Sequence, residues 1–340
     1  MNNMKFSENL FLLTGIFLLL SGGCTKTDLR ETGVQSETIV RVIPEAGFGL
    51  KAAFGEEVEN IISDLNLYIF DRNGVLIAKE YVEGSSLKEH PDGYEFSTDK
   101  LYERNSYTFL AFANMEENFP DMNLADLKKK RFYMAYPDEI SRGMPMSCIL
   151  DRYKVRSGEP VNLKLENMMA KVTIKVDRKN LNGACAFNVR SVHIGASPRF
   201  TPIMGTGRVE SASDCFSGGY ALDELQADRL NRNDYGTVSQ EVHLYVLENR
   251  QGTLLPGNSD PRTKILGEES PYRNLCSYIE IRADYTNRLE PSQDGVLKYR
   301  FYLGENAANF DVCRGCHYRI TVLPSENGMS GNSWRTELIQ

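Results

Sequence analysis

The sequence has few of the residues and none of the short patterns from which an enzymatic site is usually read. Four histidines and one tryptophan are spread over 340 residues. There is no G-x-S-x-G nucleophile elbow, no H-E-x-x-H, no phosphate-binding G-x-x-x-x-G-K-[ST] and no G-x-G-x-x-G. The expectation is a protein that is not an enzyme and carries no cofactor and no metal. Long apolar runs are also missing, and after residue 20 no stretch approaches the roughly 18 consecutive apolar residues of a membrane-spanning helix. Basic blocks are short. The longest, "KKKR" at 128–131, sits in a chain of net charge −7. It follows a helix-like "NLADL" and reads as a solvated helix end, so nucleic acid is excluded as a partner.

What is present first is an address. Leu10–Leu20 is an apolar run of 11 residues. As a helix it rises about 16 Å, half of the ~30 Å of hydrocarbon in a bilayer. It has the length of a signal-peptide core, and the small residues Ser21, Gly22 and Gly23 follow it. Cys24 comes next, in "LLLSGGC", which resembles a bacterial lipoprotein signal in which Cys24 becomes the lipidated first residue. Leu is favoured at the third position before such a Cys, and Ser21 stands there instead. Residues 1–23 are therefore expected to be a signal peptide. The aperiodic stretch 24–37 is expected to be a tether, and the outer membrane and cell surface the location.

Six further cysteines follow, at 148, 185, 215, 276, 313 and 316. An exported chain can oxidise them. "CRGCH" at 313–317 matches the C-x-x-C-H signature of c-type haem attachment. Strand-like "NFDV" and "HYRITV" flank it, so it reads as a sheet turn. A disulfide between Cys313 and Cys316, or two free thiols, is the expected state. His193 and His243 alternate with apolar neighbours and are expected to point outward, and His317 to begin a strand on its polar face. "DRNG" at 71–74 has the start of a calcium loop without the later carboxylates, and reads as a hairpin turn.

Period-2 alternation dominates the body. Val172, Ile174 and Val176 share one face of "KVTIKV". Val242, Leu244 and Val246 share one face of "EVHLYV". "YIEIRADY", "KYRFYL" and "HYRITV" repeat the pattern. One face buried and one wet is the mark of antiparallel sheets, and two such sheets stack into a sandwich. "YTFLAFA" at 107–113, apolar on both faces, is expected to be a central strand. Helical insertions are expected near 121–130 and 220–232. The turn-forming "RSGEP" at 156–160 places a domain boundary near 160, giving domains 38–160 and 161–340, the second opening on a long strand "VNLKLENMMAKVTIKV".

In order along the chain, "LNLYIFDRNGVLI", "PMSC", "AKVTIKV", "YVLENRQG" and "YRFYLGENAANFDVCRGCHYRITV" resemble the fimbrillin-like lipoproteins of Bacteroidales, which build type V pili. The last stretch is the most specific. Related chains often carry Asn after its Arg, where this chain has Arg314-Gly315 with a Cys on either side. The resemblance implies two transthyretin-like β-sandwich domains in tandem, an all-β fold. It also implies assembly by strand exchange: a protease removes an N-terminal strand, often after Arg, and a neighbour's strand fills the groove. "ETIVRVI" at 37–43 is the candidate strand and Arg41 the candidate cleavage residue. The polar tail after residue 323 offers no long alternating segment to donate, which implies a tip or minor subunit, with a base anchor or a surface glycan-binding lipoprotein as alternatives. The partners implied are other pilus subunits, the outer membrane through lipid on Cys24, and a host or bacterial surface ligand.

Overall fold

The computed structural model describes residues 34–45, 57–233, 236–324 and 334–339, Ser36 excepted. Cys24, the signal peptide and nearly all of the tether lie outside the described residues. The first half forms β1 (Thr38–Pro44), β2 (Asp64–Phe70), β3 (Leu76–Glu83), β4 (Lys88–His90), β5 (Gly93–Thr98), β6 (Ser106–Ala113), α1 (Leu124–Leu127), β7 (Arg131–Tyr133), β8 (Met146–Lys154) and β9 (Val161–Asn167). β2 turns into β3 through Asp71, whose carboxylate accepts the N–H groups of Asn73 and Val75, both at 2.8 Å. Gly74, at φ 78°, supplies the left-handed residue that the turn requires. Two layers result, β3-β2-β6-β8 and β9-β1-β5-β4, and they touch in register only where Met146 and Ser147 oppose Asn167 and Glu166. Val40, Val42, Leu65, Leu67, Phe109 and Leu163 fill the space between them with no exposure. β6 is central as its two-faced apolar pattern requires: Phe109 and Ala111 enter that core, while Leu110 and Phe112 pack beneath the α1 segment.

The second half forms β10 (Met169–Val176), β11 (Cys185–Gly195), β12 (Phe200–Pro202), β13 (Tyr220–Ala221), α2 (Glu224–Asp228), β14 (Val242–Leu247), β15 (Tyr278–Asn287), β16 (Gly295–Tyr302), β17 (His317–Val322) and β18 (Trp334–Ile339). Its layers are β14-β10-β17-β18 and β13-β11-β15-β16. The alternating residues Val172, Ile174, Val242, Leu244, Ile279, Ile281, Phe301 and Ile320 make the core between them. The fold is all-β, two sandwiches in tandem.

The two sandwiches share one topology. In each, the first strand lies between the last strand, to which it runs parallel, and a middle strand, to which it runs antiparallel: β1 between β9 and β5, β10 between β17 and β14. The second strand of each pairs with a strand that follows it closely and with one from later in the sandwich, β2 with β3 and β6, β11 with β13 and β15. Parallel pairing needs a crossover, and here the crossover is the rest of the sandwich. The expected antiparallel character therefore holds except at β1–β9 and β10–β17.

Two expectations change. The stretch 161–176 is two strands rather than one, and β9 belongs to the first sandwich. The sheets therefore change over at Met168, beyond the boundary expected at 160. Each half of the stretch alternates correctly for its own core, and the adjacent residues Met168 and Met169 pack into separate clusters. The polar tail, read as offering no long alternating segment to donate, runs antiparallel to β17 as the six-residue β18, with His317 opposite Ile339 and Val322 opposite Trp334.

Candidate functional site: the first strand and the seam

β1 is a terminal strand held in the middle of a sheet. Thr38, Val40 and Val42 point into the core, and Ile39 is 46% exposed on the other face. Its seven residues span about 23 Å, bonded on one side to Tyr94–Thr98 and on the other to Val161–Leu165. Arg41 lies mid-strand, opposite Glu95 and Asn162, with its guanidinium 3.6 Å from the Glu95 carboxylate. In the folded chain its peptide bonds are within the ladder, not in a loop.

The "PMSC", "YVLENRQG" and "CRGC" stretches behind the resemblance meet at the seam between the sandwiches. The stretch after β14, Glu248-Asn249-Arg250-Gln251-Gly252, runs beside Asn309–Val312. Asn249 and Val312 exchange N–H···O=C bonds at 2.9 Å, and the Gly252 N–H donates to Asp311 at 2.6 Å. The Asn249 amide donates to Leu275 O and Ser277 Oγ and accepts from the Val209 N–H. Glu248, its side chain 1% exposed, accepts from Arg314 at 2.9 Å, Arg250 at 3.0 Å and the Gly207 N–H at 2.8 Å. Arg314 also reaches Ser147 Oγ of the first sandwich, 3.4 Å, and the carbonyl of Pro202, 3.3 Å. A buried carboxylate with two guanidiniums and an N–H group is the paired arrangement that a buried charge requires.

Arg314 owes its position to the "CRGC" turn. The Cys316 N–H closes back on Cys313 O at 3.3 Å, Gly315 takes φ 67°, and the Gly315 N–H is tied to Met169 O at 2.9 Å. The Tyr318 hydroxyl accepts from the Cys313 N–H and donates to Asp311 O, both at 3.0 Å. The six described cysteines are free thiols. Cys313 donates its S–H to Glu305 at 3.2 Å. The Cys313 and Cys316 side chains hydrogen-bond to each other, an interaction that lowers the pKa of Cys316 and raises that of Cys313.

The histidines differ from expectation. His317 is buried, and His243 is half-buried rather than outward. Both ring nitrogens approach Thr173 Oγ1, at 2.7 and 2.8 Å. Burial, and then the nearby charge of Lys171, push His243 down to about 4. The face of β10 that alternation leaves wet is covered: Lys171 pairs with Glu59 of the first half, and the Tyr245 hydroxyl donates to the same carboxylate at 2.7 Å. His193 is half-buried, its ring nitrogen on Gly218 O. Among the described residues no group of three His, Cys, Asp or Glu is disposed to hold a metal.

Along the seam a cleft of about 740 Å³ opens where β8 and β9 splay apart, walled by Cys148, Lys164, Glu166, Glu248, Arg250 and Arg314. Burial raises the Glu166 carboxyl above its ordinary range, against the nearby charge of Arg314. This seam, and the role of the "LENRQG" and "CRGC" stretches in it, was not read from the sequence. The only signal was that two stretches rich in charge and amide groups interrupt otherwise alternating strands.

Tandem sandwiches of one topology, each with its first described strand enclosed, are the fold of this chain, and fimbrillins are similar to it. A family model described as fimbrillin-A associated anchor proteins Mfa1 and Mfa2 matches residues 41–138, and one described as a domain of unknown function, DUF4906, matches residues 244–322. None of the curated proteins matches the chain. Among solved structures, a fimbrilin (FimA) from Porphyromonas gingivalis W83 aligns with TM-score 0.54 and 11% identity over 89% of this chain and 96% of its own. The tip fimbrial protein Mfa3 from Porphyromonas gingivalis, with a C-terminal truncation, aligns with TM-score 0.51 and 14% identity over 89% of this chain and 97% of its own. A candidate cell adhesion protein from Bacteroides eggerthii DSM 20697 aligns with TM-score 0.54 and 13% identity over 90% and 95%. The fold is theirs, and the resemblance read in the sequence holds.

Proposed function

We propose that the chain is a structural subunit of a surface fimbrium, joined to its neighbours by strand exchange and acting as a tip or minor component. The observation that carries this reading is the placement of β1. Its loss leaves a groove with an unpaired ladder on both sides and empty pockets where Val40 and Val42 stood. Because β1 is the first strand among the described residues, no described strand precedes it that would have to move for it to leave. An incoming strand regains the backbone bonds of both neighbours and the burial of two apolar side chains, about 1.5–3 kcal/mol each. Cleavage at Arg41 would remove only Thr38–Arg41 and leave Val42 paired, so β1 must peel from the sheet before or during the cut. The tail supports an accepting rather than donating role, since β18 is already engaged on β17 of its own sandwich.

The match of residues 41–138 to anchor proteins favours a second reading, a base anchor that keeps lipid on Cys24. Mass spectrometry of the chain in sheared surface fibres separates the two. A tip subunit has a new N-terminus beyond β1, no lipid and a cross-linked neighbour at β5 and β9. An anchor retains acylated Cys24. Free monomer with β1 in place and no neighbour would overturn both.

A further inference from the structure

β7 and β12 form a small two-stranded ribbon that lies away from the β1 groove and meets the charged seam where the Pro202 carbonyl accepts from Arg314. Phe200 opposes Tyr133 and Pro202 opposes Arg131. Phe132, between the two outward residues of β7, packs inward against the clusters beneath. Alternation then sets Arg131, Tyr133 and Phe200 on one outer face. The guanidinium carbon of Arg131 lies 4.7 Å from the Phe200 ring centre, and the Tyr133 and Phe200 rings are 5.4 Å apart. Tyr133 is 64% exposed, and Tyr136, three residues on, is 68% exposed.

Beside this shelf a cleft of about 520 Å³ is lined by Glu117, Phe119, Lys129, Lys130, Arg131 and Tyr133. Lys130 is fixed in it, 3.1 Å from the Glu117 carboxylate and 4.2 Å from the Phe119 ring centre. Lys129 and Arg131 have no acidic partner among the described residues. The "KKKR" run is thus more than a solvated helix end: it sets several cations beside an aromatic shelf on a chain whose net charge is −7.

We propose that this shelf and cleft bind an acidic polysaccharide. The C–H face of a pyranose ring lies flat on an exposed tyrosine ring, as an amphipathic aromatic platform allows. The sugar's carboxylate or sulfate meets Lys129 and Arg131, and charge-assisted bonds of this kind are the strong ones. Glu117 accepts hydroxyl protons. An acidic peptide offers the charge without the flat ring and is served less well by two outward tyrosines. The site uses neither β1 nor the tail, so its ligand binding stands or falls separately from assembly.

Isothermal titration of the purified full chain with a hyaluronan octasaccharide, which carries carboxylates, and a heparin octasaccharide, which carries sulfates, tests it. Dextran of equal length and polyglutamate are the controls. Binding of either acidic glycan that weakens with salt is expected. Tyr133→Ala and the pair Lys129→Ala with Arg131→Ala should each lower affinity about tenfold or more, with unchanged circular dichroism. No binding to either glycan would overturn the proposal. So would polyglutamate binding as tightly as the glycan, dextran binding equally well, or glycan affinity indifferent to Tyr133→Ala.

Discussion

Glu248 accepts from two arginines at once, and the balance of that arrangement is one-sided. Removing the carboxylate leaves Arg314, 10% exposed at its side chain, as a charge without its partner. Breaking a buried pair in this way costs about 3–5 kcal/mol. Glu248→Ala should therefore lower the urea midpoint far more than Glu305→Ala, whose carboxylate is 38% exposed and lies 3.8 Å from Arg250. The neighbouring turn has its own consequence. A turn closed by an i to i+3 hydrogen bond holds its end Cα atoms within about 7 Å, overlapping the window of about 4.4–6.8 Å that a disulfide needs. In an exported chain, we propose, Cys313 and Cys316 each lose a proton and together give two electrons to the disulfide of an export-compartment oxidoreductase, forming their own S–S bond. The native chain should be lighter by two hydrogens in that peptide, and Cys316→Ser should cost about 2 kcal/mol, the chain-entropy value for so short a loop. In the reduced protein Cys316, its pKa held low by the Cys313 thiol, should be alkylated first. His243 makes a pH-dependent contribution of definite sign. Between its ordinary value of 6.5 and about 4 the unfolded chain binds a proton that the folded chain refuses. Stability is therefore lost as pH falls through that window, and His243→Asn should flatten that part of the pH profile of thermal unfolding.

Strands whose pattern was one-sided or uniformly apolar were legible in the sequence, because burial on one or both faces is written directly into the side chains. Val172, Ile174 and Val176 face the core as alternation requires, and β6 is central as its doubly apolar pattern requires. What alternation does not carry is a partner that covers the second face. Lys171 and Thr173 look wet from the sequence and are buried because Glu59, Tyr245 and the histidines close over them. Nor does it carry a change of sheet: β9 and β10 each keep period 2, so the break at Met168 leaves no compositional mark. β18 was missed because a short edge strand needs little apolar content when one ladder holds it. The seam residues were present only as family motifs, since the sequence shows which charges exist and not which of them meet. The two faces of β1 give the test at this scale. Val42→Asp puts a charge into a fully buried pocket and should cost several kcal/mol or release the strand to added protease. Ile39→Asp, on the half-exposed face, should fall within about 0.5 kcal/mol of wild type. Equal effects from the two substitutions would mean that β1 is not seated by its core-facing side chains, and the groove argument would fail with it.

At the scale of the molecule, two sandwiches of the same topology are joined by polar pairs, by a shared ribbon and by apolar clusters. The Arg314 guanidinium reaches Ser147, Lys171 and Tyr245 share Glu59, and the β7–β12 ribbon pairs a strand from each half. Each sandwich has its own core, and two further apolar clusters draw on both halves, Tyr68 and Phe112 with Ile203, and Met134 and Met144 with Tyr245 and Leu247. Domain interfaces of modest size usually permit relative motion, and rigidity here comes from the bridging ion pairs together with the apolar clusters that the two halves share. In the strand-exchanged fibre proposed above, load entering at one end would cross this seam, and the buried ion pairs would then bear force. The expected consequence is calorimetric. Wild type should unfold in one transition, since loss of either sandwich strands the charges of the other. Lys171→Met with Arg314→Met replaces both bridging cations by apolar side chains and should split that transition into two, one for each core. The β7–β12 ribbon and the shared apolar clusters remain in that variant, so a persistent single transition would mean that they, rather than the charge pairs, couple the halves.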